Sequence, residues 1–401
     1  MPTGTTTSPV KKLFRAAAAS LTREALLTQQ ARRRGGRAFS KKRSRWPLLA
    51  KPLPPTTAAA LCVMDCRTGK VLAARHAHSP RSVASLTKIL AAKTVLRLLS
   101  TGALPGGFLD IVVKVSEDAA ATGGTSAGLQ PGDCVTVLDL LYGALLPSGN
   151  DAIASLAEAV GKERLRAGTA AAENSVISFS NGITFASAQA RFVKDMNAES
   201  ARLGNLASAS TFLNPHGMDE GGKDDHEANL PHHLHQCSTA HDMAVIAAAA
   251  MREHPLFRNV VATKHYQCKI LAGSRRVIEW QNTNKLLWRS KKVLGLKTGW
   301  TKNAGPCLCS AMRLPVSKAS ISSSAHLEDD ENCGKNVNRG EKNEGGSGSG
   351  GVENGAGDDT TKPAQFRDVI VVTLQSESTA ARWPEHNKLH RWAQRLILLS
   401  E

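Results

Sequence analysis

The sequence predicts an α+β fold in which an antiparallel β-sheet is flanked by helices. Three observations lead there. Strand-like segments stand at both ends of the globular region, with helical segments between them. Two pairs of those strands are joined by short glycine turns, which makes them hairpins. From Ser85 to Gly102, apolar residues cover most of a helix surface, so this helix belongs in the middle of a domain.

Taken in order, residues 1–56 read as a disordered basic tail. Up to residue 55 there are thirteen Lys or Arg and one acid, Glu24, so +12 of the formal charge of +17 sits there. The apolar fragments in this stretch never build the uninterrupted core of a secretory signal. Its Arg- and Ser-rich, acid-poor composition fits an organellar transit peptide and equally a basic arm that touches polyanions weakly. With the tail set aside, the rest carries only +5, and a dedicated nucleic-acid-binding protein is not indicated. No run is long enough to span a bilayer.

Residues 57–400 read as one catalytic domain. Leu61 to Asp65 and Val71 to Ala74 form a hairpin around Gly69, and the buried helix follows, with Gly102 placed for a left-handed C-cap. Ile111 to Val115 is a short strand. Thr136 to Leu146 is helical and ends at Pro147. Ser148-Gly149-Asn150 is then a tight connection into a helix from Asp151 that stops at Gly161. Ala188 to Leu203 is amphipathic, Asn214-Pro215-His216-Gly217 is a turn, and Thr239 with Asp242 predicts a capping box for a helix over Met243 to Met251.

A second hairpin turns at Gly273-Ser274. Val293 to Trp300 and Gly305 to Met312 are adjacent strands. About fifty residues, 318–365, are rich in Ser, Gly, Asn, Asp and Glu, and cannot bury enough apolar surface to offset their ordering entropy. This disordered insert enlarges a hairpin loop, because Phe366 to Leu374 resumes as a strand before a closing helix, Pro384 to Leu399. His226, His232, His233, His235 and Cys237 lack a standard zinc spacing and are read as solvated loop. Eight cysteines without repeated spacing do not suggest a disulfide framework.

Chemistry concentrates in three places. Ser85 and Lys88 are three apart, hence on one helix face, and a desolvated lysine amine can take the serine proton. Ser148 and Asn150 supply a hydroxyl and an amide on a tight loop, suited to relaying a proton and holding a substrate amide. Lys297, Thr298 and Gly299 lie on a strand that can receive an extended peptide ending in a carboxylate. Each motif alone is a commonplace. In this order and context they form one constellation.

Ala84-Ser85-Leu86-Thr87-Lys88, Ser148-Gly149-Asn150-Asp151, Phe212 to Gly217, Asn282 to Trp288 and Gly295 to Thr301 resemble the low-molecular-mass D-alanyl-D-alanine carboxypeptidases of the S11 serine peptidase family. The resemblance implies a β-lactamase/transpeptidase-like fold with an all-helical subdomain. It implies that Ser85 attacks the bond between two terminal D-alanines of a peptidoglycan stem peptide, with Lys88 as base and Ser148 and Asn150 passing the proton on. Lys297 and Thr298 would hold the terminal carboxylate, the N–H groups of Ser85 and Trp300 would form the oxyanion hole, and β-lactams would acylate Ser85. No cofactor or metal is needed. Two other readings stay open: a β-lactamase-like hydrolase, although no Glu-x-x-Leu-Asn stands near Phe212 to Gly217, and a retired peptidase domain that binds polyanions through its tail.

Overall fold

The structure, a computed structural model, describes residues 52–170, 182–204, 210–219, 236–315 and 366–400. The N-terminal tail before residue 52, the insert at 318–365 and the histidines at 226–235 lie outside the described residues.

Five strands make one antiparallel sheet in the order β2-β1-β9-β8-β7: β1 (Ala60–Asp65), β2 (Val71–Arg75), β7 (Val293–Gly299), β8 (Cys307–Pro315) and β9 (Phe366–Leu374). All six residues of β1 are buried, because helices cover both faces of the sheet. On one face Cys62 and Met64 join Val372 and Cys309 in the main core. On the other, Leu61 and Val63 pack with Val371, Leu389 and Ala393. The period of two along each strand thus feeds two cores.

The second core is closed by the C-terminal helix, Arg382–Ser400. The segment that leads into β1 is pinned to it, since the Thr57 hydroxyl donates to Glu385 at 2.7 Å. Pro315 pairs directly with Phe366, so the chain leaves and re-enters the sheet at one point, as expected of an enlarged hairpin loop. A second β-pair, β5 (His265–Lys269) with β6 (Val277–Gln281), is the predicted hairpin. A third joins β3 (Val112–Lys114) to β4 (Cys134–Thr136).

The main core holds the helices α1 (Thr87–Ser100), α3 (Val137–Leu145), α4 (Asn150–Ala170), α5 (Phe185–Arg202), α6 (Ala240–Glu253) and α7 (Pro255–Ala262); the short α2 is Glu117–Ala120 and the C-terminal helix is α8. Residues 87 to 95 of α1 are buried without interruption, and Gly102 adopts φ +71° just past its end. Its Lys93 is fully buried and pairs with Glu199 of α5 at 2.5 Å and Glu253 of α6 at 2.8 Å, tying three helices together. A buried cation is tolerable only with such partners.

Two expectations are corrected. The helix after Asn150 does not stop at Gly161 but runs on to Ala170. Gly161 is there for packing: a Cβ on it would lie 2.0 Å from the carbonyl oxygen of Ala188, so α4 and α5 touch backbone to backbone. The helix predicted over Met243 to Met251 begins at Ala240, and only half of its capping box forms. Thr239 accepts from the Asp242 N–H, but the Asp242 carboxylate turns away to the Ser210 hydroxyl at 2.7 Å. Among the described residues no helix is long and apolar enough to cross a membrane, and the described cysteines are free thiols.

Candidate active site

The site lies where a 3₁₀ turn, Ala84–Leu86, meets the end of β7. That turn leads straight into α1, which places Ser85 and Lys88 on one face, with Lys88 Nζ 2.9 Å from Ser85 Oγ. Ala84 has φ +49°, a strained value for a residue with a Cβ, and Gly217 clasps it: a side chain there would sit 2.0 Å from the Ala84 carbonyl oxygen. The pair holds the turn that carries Ser85.

Lys88 is fully buried, and its amine has two further partners, Asn150 Oδ1 at 2.6 Å and the carbonyl of His216 at 3.0 Å. Burial, then the nearby charge of Lys297, hold its pKa well below the usual lysine value. A neutral amine has two N–H donors and one lone pair. The two carbonyl oxygens can only accept. In the neutral form they would take both N–H groups and leave the lone pair for the Ser85 hydroxyl 2.9 Å away.

Asn150 begins α4, and each of its polar groups is spoken for. Its Nδ2 donates to Gly123 O at 2.6 Å and its backbone N–H to Thr125 O at 2.7 Å. The next residue, Asp151, is fully buried and accepts from Ser126 Oγ at 2.6 Å and from the N–H groups of Ala127 and Leu129. Together the two residues strap the loop at 123–129 beneath the Ser148 turn. Ser148 itself is held at φ +71°, and its hydroxyl makes no hydrogen bond among the described residues.

On the opposite wall Lys297 is fully buried on β7, its amine donating to Thr298 O at 3.1 Å. Burial and the neighbouring Arg382 push its pKa down to about 7. The charge on Lys297 in turn depresses Lys88. Thr298 meets Thr283, hydroxyl to hydroxyl, at 2.8 Å. A Cβ on Gly299 would stand 3.0 Å from Val83 O and 3.3 Å from Ser85 N, so the close approach this glycine permits is to the chain's own nucleophile turn. Trp300 stands 61% exposed at the rim.

Sequence reasoning missed three contributors. Thr283 lies in the Asn282 to Trp288 stretch, yet nothing in that stretch says that its N–H reaches Leu146 O while its hydroxyl reaches Thr298. The carbonyl of His216, from the predicted turn, is the third partner of Lys88. Arg382 is almost wholly buried and donates to Gly299 O at 3.1 Å and Cys307 O at 2.9 Å, bracing the end of β7 from beyond the insert.

The D-alanyl-D-alanine carboxypeptidase family model, peptidase S11, matches residues 49–164 and 171–318. The chain belongs to the S11 serine peptidases. Among similar proteins, D-alanyl-D-alanine carboxypeptidase DacC of Escherichia coli is 32% identical over 259 residues, 63% of this chain and 52% of that protein. D-alanyl-D-alanine carboxypeptidase of Streptomyces sp. strain K15 is 32% identical over 269 residues, 65% of this chain and 78% of that protein. The solved Streptomyces K15 DD-transpeptidase superposes with a TM-score of 0.57 at 26% identity, covering 84% of this chain and 97% of its own. The chain spans about half the length of DacC and of several other curated relatives that this S11 domain matches. Its α+β sheet with flanking helices is the fold shared with the DD-transpeptidase structures.

Proposed function

We propose that this S11 domain is a serine-type D-Ala-D-Ala carboxypeptidase, residues 57–400 forming one catalytic unit interrupted by an insert at 318–365. The observation that carries the reading is the fully buried Lys88 amine, 2.9 Å from Ser85 Oγ and held by two carbonyl oxygens, Asn150 Oδ1 and His216 O.

The terminal carboxylate of the peptide binds the Lys297 ammonium and the Thr298 hydroxyl. Ser85 Oγ attacks the carbonyl carbon of the penultimate D-alanine as its proton moves to Lys88 Nζ. The oxyanion that forms is stabilised by the N–H groups of Ser85 and Trp300. The C–N bond then breaks, and the proton passes from Lys88 through Ser148 to the nitrogen of the departing D-alanine. Water adds to the ester on Ser85, losing its proton to Lys88, which returns it to Ser85 Oγ as the ester C–O bond breaks and the shortened peptide leaves. β-Lactams enter the same first step and stop at the ester. The substrate is a peptide, and no nucleic-acid recognition is assigned to this cleft.

The test is labelling with a fluorescent penicillin. Wild type forms a covalent adduct and releases D-alanine from a peptide ending in D-Ala-D-Ala; Ser85→Ala and Lys88→Ala do neither. Equal labelling of all three proteins removes Ser85 as nucleophile. The ester can also pass to an amine, and the similar K15 structure is named a DD-transpeptidase. Adding a D-amino acid as acceptor and looking for the exchanged peptide separates transfer from hydrolysis.

A further inference from the structure

We infer that the cleft continues past Thr298 into a cationic pocket that can receive the side chain of a departing residue larger than D-alanine, and that this pocket prefers an acidic side chain to a basic one. The inference rests on the carboxypeptidase reading and says which departing residues besides D-alanine that site would accept.

The pocket measures about 500 Å³ and is lined by Gln281, Asn282, Thr283, Lys285, Trp288 and Arg289. It opens one hydrogen bond from the carboxylate clamp, because Thr283 both lines it and pairs with Thr298 at 2.8 Å. With the terminal carboxylate on Lys297 and Thr298, the pocket lies on the leaving-group side of the scissile bond. The methyl group of a D-alanine leaves nearly all of that volume empty.

Its walls are fixed. Lys285–Trp288 is a short 3₁₀ helix whose start is capped by Asn284 Oδ1, accepting from Leu286 N at 3.1 Å. Leu286 and Leu287 are buried against Val293 and Leu308. Anchoring these two leaves Lys285, Trp288 and Arg289 exposed on the other side of the turn. The Trp288 ring is held edge-on by His265, centroids 5.9 Å apart.

The charge has one sign. No acid lines the pocket, and among the described residues neither Lys285 nor Arg289 has an ion-pair partner. Glu279, two residues before Gln281 on β6, is engaged by Gln267 at 2.9 Å. Two unpaired cations beside an indole face match a side chain with methylenes to lie on the ring and a carboxylate at its tip. D-Glutamate has that shape.

The experiment compares three N-acylated peptides that differ only in the last residue: D-Ala, D-Glu or D-Lys after a common D-Ala. Wild type is expected to show kcat/KM for the D-Glu peptide about tenfold or more above that for the D-Lys peptide. In Lys285→Ala/Arg289→Ala the ratio falls to near one, and in Lys285→Arg/Arg289→Lys it is retained. Should the double alanine variant not fold, judged by penicillin labelling, the single Lys285→Gln and Arg289→Gln variants each lower the ratio. Wild type that cleaves all three peptides with a ratio near one, or a ratio untouched by charge removal, overturns the pocket alone. Wild type that cleaves none of the three overturns the carboxypeptidase reading, and the pocket with it.

Discussion

Lys88 Nζ lies 2.6 Å from Asn150 Oδ1, and the amide cannot turn over, because its Nδ2 is spent on Gly123 O at 2.6 Å. A neutral carbonyl dipole therefore faces the buried amine. It orients Lys88 without stabilising its protonated form as a full charge would.

Asn150→Asp keeps the shape and adds that charge. A carboxylate in contact with Lys88 raises the lysine pKa, and an ammonium cannot act as base. Acylation by penicillin at pH 7 is expected to fall about 100-fold, with the rate profile displaced by roughly 2 units toward alkaline pH. Stopped-flow acylation across pH 6–10 checks this. A fall without an alkaline displacement would show that Asn150 acts only by position.

Lys297, with its pKa lowered to about 7, sets an upper limit on carboxylate binding. In the free enzyme the ammonium is lost as pH rises through that value, and with it the ion pair to the substrate terminus. With that ion pair weakened, kcat/KM for a peptide ending in a carboxylate should decline above about pH 7. The C-terminally amidated peptide should lack this decline. Parallel profiles for both peptides would take Lys297 out of the clamp.

The contact at Gly161 makes a stability prediction with an internal control. Gly161→Ala forces a methyl against Ala188 O and should cost roughly 3 kcal/mol, seen as a lower urea midpoint. Gly168, on the same helix, has open space at its Cβ, so Gly168→Ala should be neutral or stabilising by up to about 1 kcal/mol. Equal effects from the two substitutions would mean that α4 and α5 do not touch at Gly161.

Acid should unfold this domain through histidines as well as carboxylates. His386 of α8 sits fully buried between Ser310 Oγ at 2.6 Å and Thr373 Oγ1 at 2.7 Å, and the same Ser310 hydroxyl reaches His390 Nε2 at 2.7 Å. Burial holds the His390 pKa down at about 3, and burial with the neighbouring His390 and Arg382 holds His386 well below its ordinary value. Both folded-state values lie below the unfolded one near 6.5, so below that pH the unfolded chain binds protons that the folded chain refuses. Stability is complete above pH 6.5 and is lost as pH falls, by roughly 1 kcal/mol for His390 at pH 5.5, with His386 adding in the same direction. Urea titrations at pH 7.5 and 5.5 measure it, and His390→Leu should flatten the dependence. An unchanged dependence in that variant would sink the assignment.

The outline was readable before any coordinates, because its signals are local. The continuous apolar run of β1, the apolar coverage of α1 and the glycine turns of the hairpins each depend on neighbours a few residues away. Gly161 misled for the same reason: locally it reads as a helix end, whereas its role is a contact with Ala188, far along the chain. Arg382 gave no sign, standing beyond the insert from the strand it braces.

By itself the sequence determined which groups meet within one turn of helix, Ser85 and Lys88 above all, since three residues of helix bring two side chains together whatever surrounds them. Only the tertiary structure decided what those groups can do. Whether Lys88 is a base and Lys297 a cation depends on how much water each loses and which dipoles replace it. Those dipoles come from Asn150, His216 and Arg382, brought in by the packing of distant segments.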